Sequence, residues 1–322
     1  MPGFPFEKGI HDLGGGTYAW IQPDGSWGYS NAGLVVDGRT GLLVDTLFDL
    51  HLTREMLAAY DEAAGPDLRW QYLVLTHGNG DHVYGNQLVT GAEIVASHGC
   101  LEDMNQTPPS LMADMIAGAS SMGDAGKYFL HCFGDFDFTG IEVVYPTVFV
   151  EGEMELAVGE KIVRLMAAGP AHTAGDLMVH VPDAGVLYAG DILFVGGMPI
   201  MWTGPYENWI AAIERILWLD ADIIVPGHGP VTDKEGVARC RAVLEEIHGE
   251  TRRRFDAGQS PKQASMEMAT GRFSDLTDAE RIVIMVHRLY NEFDPSHAPP
   301  DVLTLFSMMA EMDAPVKSRQ GL

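Results

Sequence analysis

Basic residues are scarce in this sequence, which has 20 Lys and Arg against 45 Asp and Glu and a formal net charge of −25. Such an acidic excess repels phosphate backbones and anionic lipid surfaces, so we expect neither nucleic acid nor a membrane as a partner. The sequence also lacks an apolar run of the roughly 18 residues that a membrane span needs. Its first eight residues lack the basic start and apolar run of a secretory signal, so none is expected.

Cysteine is rare as well. The three cysteines, Cys100, Cys132 and Cys240, are odd in number and far apart, which argues against a disulfide framework. We therefore expect a reducing compartment, with the cytoplasm as the default location.

Hydrophobic residues make up 46% of the 322 residues, enough for a large buried core. Short apolar runs separated by turns dominate the first two thirds; residues 33–36 and 41–44, for example, predict a β-hairpin. Helical periodicity appears at 209–219 and covers most of the chain beyond 234. We predict an α/β domain over residues 1–233 with an insertion at about 99–140, followed by a helical C-terminal extension over 234–322. The extension is long enough to cover a pocket or to pair subunits in a homo-oligomer.

Imidazole and carboxylate side chains occur at or just after the ends of several predicted strands. They are His77, Asp81, His82, His172, Asp191 and His228. If these strands are neighbours, the six groups converge at one edge, where so many unpaired polar groups are costly without a cation. The pattern therefore predicts a metal centre.

Four segments that contain these residues resemble the ordered motifs of the metallo-β-lactamase superfamily. They are Thr-His-Gly-Asn-Gly-Asp-His at 76–82, Gly-Pro-Ala-His-Thr-Ala-Gly-Asp at 169–176, Ala-Gly-Asp at 189–191 and Pro-Gly-His-Gly at 226–229. Their order and approximate spacing match over about residues 18–231. The resemblance implies a four-layer αββα sandwich with a metal centre at one edge of the two sheets.

The resemblance also implies a ligand set. It puts His77 and His172 on a first metal and Asp81, His82 and His228 on a second, with Asp191 bridging both. Asn79 is a departure, because it occupies the position of the second histidine in the family's H-x-H-x-D-H motif. An amide oxygen is a weaker ligand for zinc than imidazole, so the first site should hold zinc less tightly.

Three arrangements follow from Asn79. The second site fills first and the first site is only partly occupied, or Asn79 ligates through its oxygen or through water in a dinuclear centre. In the third, His77, His172 and Asp191 form a two-histidine, one-carboxylate set of the kind that suits non-haem Fe(II). We expect zinc, as one or two ions, with iron or manganese as alternatives.

Hydrolysis is the default reaction for such a centre, because a divalent ion lowers the pKa of water from ~15.7 toward 7 and polarises a carbonyl or ester oxygen. We predict that Asp81 is the catalytic carboxylate, which orients the water or takes its proton. Asn31 and Tyr206 are weaker candidates for substrate binding. Asn31 precedes a buried strand, and Tyr206 could donate to a developing oxyanion.

The expected function is hydrolysis of a small, partly apolar ester, lactone, thioester or amide. Tryptophans at positions 20, 27, 202 and 209 favour an apolar pocket for such a small-molecule substrate. One rival is a mononuclear non-haem iron oxidoreductase of the same fold. A second rival is a non-catalytic small-molecule-binding or accessory protein.

Overall fold

The strands form two mixed β-sheets in a computed structural model that describes residues 4–65 and 67–320. The first sheet contains, in spatial order, β1 (Gly9–Gly14), β2 (Thr17–Ile21), β3 (Ala32–Asp37), β4 (Thr40–Val44), β5 (Arg69–Val74), β6 (Glu93–Ala96) and β7 (Val148–Phe149). Strands β1 to β4 pair antiparallel and β4 to β7 parallel. The hairpin of β3 and β4 confirms the one predicted around residues 37–40.

The second sheet has five strands. They are β8 (Glu153–Val158), β9 (Lys161–Ala167), β10 (Leu177–Val181), β11 (Val186–Phe194) and β12 (Ile223–His228), which lie in the order β12-β11-β10-β9-β8. Strands β8 to β11 pair antiparallel, and β12 pairs parallel to β11.

Side-chain alternation along the strands separates two hydrophobic cores. Because successive side chains point to opposite faces, Leu34 and Val35 belong to different clusters. Val35 packs between the sheets with Val179 and Val225 of the second sheet. Leu34 instead belongs to the cluster that the outer helices share with the sheets. The predicted four-layer αββα sandwich is therefore confirmed.

Ten helices surround the sheets in the described residues. They are α1 (Leu50–Ala64), α2 (Gly80–Val83), α3 (His98–Gln106), α4 (Pro109–Gly118), α5 (Gly123–Phe133), α6 (Tyr206–Trp218), α7 (Lys234–Asp256), α8 (Pro261–Ala269), α9 (Ile282–Phe293) and α10 (Val302–Gln320). Side-chain oxygens of Asp49, Ser97 and Asp233 accept backbone N–H groups at the starts of α1, α3 and α7, which fixes where these helices begin. Over residues 4–65 and 67–320, each helix is too short or too polar to cross a bilayer.

The region predicted as an insertion contains α3, α4 and α5. Residues 141–145 form an irregular stretch, and the edge of β6 pairs with β7. The side chain of Asn86 holds the irregular stretch by donating to the backbone oxygen of Val144.

The helices after residue 234 pack on the sandwich rather than standing apart from it. Helix α7 packs against α6 and α9, and α10 packs against α5 of the predicted insertion. The two helical regions therefore form a continuous layer. The domain boundary at residue 233 stays a prediction.

Candidate metal centre

Six predicted side chains come together at one edge of the sandwich. His77 follows β5, Asp81 and His82 lie in α2, His172 lies between β9 and β10, Asp191 lies in β11, and His228 ends β12. Five of these side chains are at most 5% exposed, whereas that of Asp81 is 14% exposed. Asp81 is thus the member of the group that is most open to solvent.

Asp191 lies inside a strand, which corrects the expectation that it follows a strand end. The pairing of β11 with β12 shifts on both sides of Gly190, whose φ is +52°. A Cβ atom at position 190 would lie 2.7 Å from the Cβ of Thr76, so only glycine fits this approach. The shift in strand pairing at Gly190 lets the side chain of Asp191 point toward the histidines while the strand continues.

The carboxylate of Asp191 is at the centre of the group. Its Oδ1 is 3.2 Å from Nε2 of His82, and its Oδ2 is 3.3 Å from Nε2 of His172 and 3.5 Å from Nε2 of His228. The Nε2 of His77 is 3.8 Å from the same Oδ2. Ligand atoms around a tetrahedral ion with bonds of about 2.0–2.1 Å lie about 3.3–3.4 Å apart, so these spacings fit a shared cation.

Asp81 extends the group on the solvent side. Its Oδ2 is 3.3 Å from Nε2 of His228 and 3.9 Å from Nε2 of His82. Two overlapping sets of potential metal ligands result, namely His77, His82 and Asp191, and Asp81, His82 and His228. His82 belongs to both sets, and the division into a first and a second metal stays a prediction.

Several buried polar atoms in this group have no hydrogen-bond partner among the described residues. They are Nε2 of His77, His82 and His172, Nδ1 of His228 and Oδ1 of Asp191. A buried polar atom without a partner is costly, and imidazole nitrogen and carboxylate oxygen are both metal ligands. The residues present therefore fit a divalent cation.

The tautomers of three histidines are set by hydrogen bonds outside the group. Nδ1 of His82 lies 2.9 Å from Oδ2 of Asp45, and Nδ1 of His172 lies 2.6 Å from the backbone oxygen of Ile200. Nδ1 of His77 lies 3.0 Å from the hydroxyl of Thr76. Because these partners accept, each Nδ1 carries a proton, and in the neutral imidazole Nε2 presents its lone pair to the centre.

Burial lowers the pKa of His77 well below its ordinary value and also lowers that of His172. Both imidazoles are therefore neutral at neutral pH, which is the form that binds metals. At His82 burial acts in the same direction, but the charges of Asp191 and Asp81 outweigh it and hold the pKa well above its ordinary value. Metal binding at His82 therefore releases a proton.

Asp45 is a site residue that the sequence reasoning missed. It accepts hydrogen bonds from the backbone N–H and the hydroxyl of Thr76, both at 2.7 Å, as well as from His82. It is 2% exposed and has a φ of +63°. The available signal was a carboxylate directly after β4, the same kind of position that identified His77. Asp45 orients both His82 and, through Thr76, His77.

The C-terminal helices hold the loop that orients His172. The backbone oxygen of His172 accepts from the N–H of Trp202 at 2.8 Å. The backbone oxygen of Ile200 accepts from Nδ1 of the His172 ring. Arg288 of α9 donates to the backbone oxygen of Trp202, and the carboxylate of Glu292 accepts from the N–H of Tyr206 at 3.2 Å. The position of His172 thus depends on α9.

Asn79 immediately precedes α2 and is half-buried, but its amide makes no hydrogen bond to the helix start among the described residues. Its role as a ligand stays a prediction.

The two weaker candidates have other contacts. The amide nitrogen of Asn31 donates to the backbone oxygens of Pro226 and Gly229, so Asn31 holds the end of β12 in place beside His228. The ring of Tyr206 stacks on that of His248 at 4.2 Å, which places the tyrosine against α7. Substrate binding by either residue stays a prediction.

The four tryptophans have different environments. Trp20 and Trp209 are 3% and 0% exposed and belong to the core, whereas Trp27 and Trp202 are half-buried. Trp20 therefore serves packing, whereas Trp209 packs in the core and also borders a cavity between β11 and helices α6 and α7.

Comparison with known proteins identifies the family. The sequence profile of the metallo-beta-lactamase superfamily matches residues 25–228, more than half of the chain. The chain is 26% identical over 205 residues to a Beta-lactamase-like protein 2 homolog of Caenorhabditis elegans, covering 64% of this chain but only 57% of that protein. It is 29% identical over 234 residues to a hydroxyacylglutathione hydrolase of Methylococcus capsulatus, covering 67% of this chain and 76% of the relative.

Solved structures show the same fold. The stereoselective inverting sec-alkylsulfatase Pisa1 from Pseudomonas sp. superposes with a TM-score of 0.64 at 15% identity. The superposition covers 91% of this chain and 52% of the sulfatase. The profile match, the four motifs and the sandwich agree, and the chain belongs to the metallo-beta-lactamase superfamily.

Proposed function

We propose that this protein is a metal-dependent hydrolase of a small, partly apolar ester, lactone, thioester or amide. The observation that carries the proposal is the group of buried Nε2 and carboxylate atoms around Asp191, which have no hydrogen-bond partner among the described residues and are spaced as ligands of a cation are. Zinc is the proposed ion, because imidazole and carboxylate ligands with one open side suit catalytic zinc.

A divalent cation held by these side chains would lower the pKa of water and polarise a carbonyl or ester oxygen. Asp81 faces His228 and His82 with Oδ2, which leaves its other carboxylate oxygen to orient the attacking water or accept its proton. Burial raises the pKa of Asp81, but the charges of His82 and His228 outweigh burial and lower it to about 2. Asp81 is therefore ionised at neutral pH, as a base must be.

Asp81 is also held in place by the loop before β3. The hydroxyl of Ser30 donates to the backbone oxygen of Asp81 at 2.5 Å, and Asn31 next to it holds β12. These contacts keep the catalytic carboxylate and His228 at a constant separation, which a reaction that depends on geometry requires.

Aromatic rings pack against the backbone beside the metal loop. A Cβ atom at Gly80 would lie 2.5 Å from the ring of Tyr84 and 2.9 Å from that of Phe48, so both rings touch the backbone next to Asp81. Phe48 packs in turn on Phe136 at 4.9 Å. The three rings are buried, so they hold the loop that carries Asp81 in place rather than lining an open pocket.

The net charge of −25 argues against polyanionic substrates such as nucleic acid. Among the relatives, the protein of Methylococcus capsulatus is named as a hydrolase of hydroxyacylglutathione, which supports cleavage of an acyl group by this type of site. All three cysteines are free, which supports a reducing compartment such as the cytoplasm.

One observation favours a second candidate function. Asn79 stands where the family has a histidine, so His77, His172 and Asp191 remain as two imidazoles and one carboxylate, with Oδ2 of Asp191 3.8 and 3.3 Å from the two Nε2 atoms. This set suits non-haem Fe(II) and an oxidoreductase reaction.

Elemental analysis and a hydrolysis assay together test the proposal. Protein purified without added metal is analysed for zinc, iron and manganese and is then assayed on p-nitrophenyl butyrate, a butyryl thioester, a lactone and an anilide, with and without chelator. We expect bound zinc and chelator-sensitive hydrolysis of at least one compound. Iron together with substrate-dependent dioxygen consumption would establish the oxidoreductase instead.

A pair of histidine variants supplies the control. His228→Ala should lose hydrolysis, whereas His180→Ala should keep it, because buried His180 contacts the backbone oxygen of Asp220 and not the metal centre. Full hydrolysis in His228→Ala, or a wild-type protein that binds no cation, would overturn the proposal.

A further inference from the structure

A cavity lies outside the metal centre, between the end of β11 and helices α6 and α7. Its volume is about 310 Å³. Phe194, Trp209, Cys240, Val243, Leu244 and Leu276 are among the residues that line it, and the remaining contacts include the backbone of the glycines at 196 and 197. The interior therefore offers an apolar surface to whatever it binds.

The ring of Phe194 separates this cavity from the metal centre. It stacks on the ring of His228 with centroids 5.3 Å apart and planes 3° apart, and its centroid is 5.6 Å from that of His172. Trp209, on the same wall, is 6.1 Å from His172. A molecule in the cavity would therefore contact the residues that support two metal-binding imidazoles without reaching the metal ligands.

Arg239 is the one charged residue among those that line the cavity. Its side chain is 70% exposed, so it lies at the mouth rather than inside. Its only ion pair in the described structure is with Glu235 at 3.9 Å, and Glu235 is itself 88% exposed. Such an exposed pair is weak, so the guanidinium remains available to an anionic group at the mouth.

We infer that this cavity binds an anionic amphiphile, with its alkyl chain against Phe194 and Trp209 and its head group at Arg239. The volume sets the length of the chain. A group of the size of water or a methylene occupies a volume of roughly 30 Å³, so the volume of this cavity accommodates an alkyl chain of about ten carbons. The predicted ligand class is thus a medium-chain carboxylate, which does not depend on the reaction at the metal centre.

Decanoate is the probe, measured by isothermal titration calorimetry on the metal-containing protein. We expect one saturable site per chain. Val243→Phe fills the cavity and should weaken binding about tenfold or more, whereas Val243→Ala, at the same position, should not. Metal content is measured for each variant, and it should stay at the wild-type level because Val243 does not touch the metal ligands.

The head group is tested with a matched pair of arginines on α7. Arg239→Ala should weaken decanoate binding about two- to fivefold, as expected for an exposed ion pair. Arg253→Ala is the control, because Arg253 is also 70% exposed and also pairs with a glutamate of α7, but it does not line the cavity. Equal effects of the two substitutions would overturn the head-group assignment.

A spectroscopic measurement on the wild-type protein does not depend on how Val243→Phe folds. Decanoate with a bromine at its chain end should quench the fluorescence of Trp209. Trp209→Phe should remove that quenching, while the fluorescence of the other tryptophans remains measurable. Quenching that is unchanged in Trp209→Phe, or decanoate binding that survives in folded Val243→Phe, would show that the ligand binds elsewhere and would overturn the inference.

Discussion

Asp45→Asn is the substitution whose effect on the metal centre follows most directly from the structure. The side chain keeps its size, and asparagine tolerates the φ of +63° at this position. Burial raises the pKa of Asp45, whereas hydrogen bonds from His82 and Thr76 favour its ionised form. The substitution therefore removes one buried acceptor and leaves the backbone in place.

The consequences depend on which atom of the new amide faces each donor. The backbone N–H of Thr76 can only donate, so the amide oxygen must take the position of Oδ1. The amide nitrogen then replaces Oδ2 and meets Nδ1 of His82, which must give up its proton to accept. That tautomer carries its proton on Nε2, the atom that faces Asp191, and cannot bind a metal there.

Partners of metal-ligating histidines typically affect metal affinity by 10–100-fold, and we expect a loss of that size, or about 1.4–2.7 kcal/mol. An unsatisfied buried donor also costs about 1–3 kcal/mol of unfolding free energy. Zinc affinity is measured by competition with a chromophoric chelator, and unfolding by circular dichroism in urea.

Asp49→Asn is the matched control. Asp49 is 4% exposed and accepts the N–H of Leu52 at 2.8 Å and that of Asp137 at 3.2 Å, so Asp49→Asn likewise removes one buried acceptor. Its described hydrogen bonds include none with the histidines of the candidate metal centre. Wild-type zinc affinity in Asp45→Asn, or an equal loss in Asp49→Asn, would refute the orienting role of Asp45.

Four further outcomes are expected. Asn79→His should raise the number of zinc ions per chain by elemental analysis, and an unchanged count would show that residue 79 is not at a ligand position. Asp191→Ala should remove all metal, since its two oxygens face four imidazoles; retention of full stoichiometry would contradict a bridging role. Arg288→Ala frees the backbone oxygen of Trp202 and should weaken zinc binding up to about tenfold by chelator competition; unchanged affinity would show that α9 does not position His172. Burial, together with the charge of Asp278, raises the pKa of Glu280 to about 7 from an ordinary 4.5, so the folded state holds this proton more tightly than the unfolded state does. As the pH rises from 4.5 to 7, the unfolding free energy of the wild type should therefore fall relative to that of Glu280→Gln, and parallel curves of unfolding free energy against pH would contradict this.

The loop around Trp27 shows how the predicted insertion and extension are joined. The indole N–H of Trp27 donates to the hydroxyl of Tyr128 in α5 at 3.3 Å, and that hydroxyl donates to Glu280 at 2.8 Å. The guanidinium of Arg281 lies 4.2 Å above the Trp27 ring. The sequence predicts an insertion and a helical extension, but only contacts between residues far apart in the chain show that both pack against the same loop.

The convergence of the candidate metal ligands was predictable because their signal is local. His77 and His228 follow buried apolar runs, and strand ends of neighbouring strands meet at one sheet edge, so histidine and carboxylate at these points already predict a cation site. The four-layer sandwich was predicted through the resemblance of the four motifs to the metallo-β-lactamase superfamily, and the short apolar runs of the first two thirds agree with it.

The residues that orient those ligands were not predictable from the chain alone. Asp45, Ile200 and Arg288 act through hydrogen bonds to partners distant in the sequence, and such bonds exist only once the backbones approach to about 3 Å. The same holds for Asn31, whose side-chain amide donates to the backbone of β12. It also holds for the cavity behind Phe194, because its walls come from separate elements of the chain. Residue type and periodicity determine which groups lie at the edge of the sheets, whereas the packing of the sheets and helices determines how each group is held.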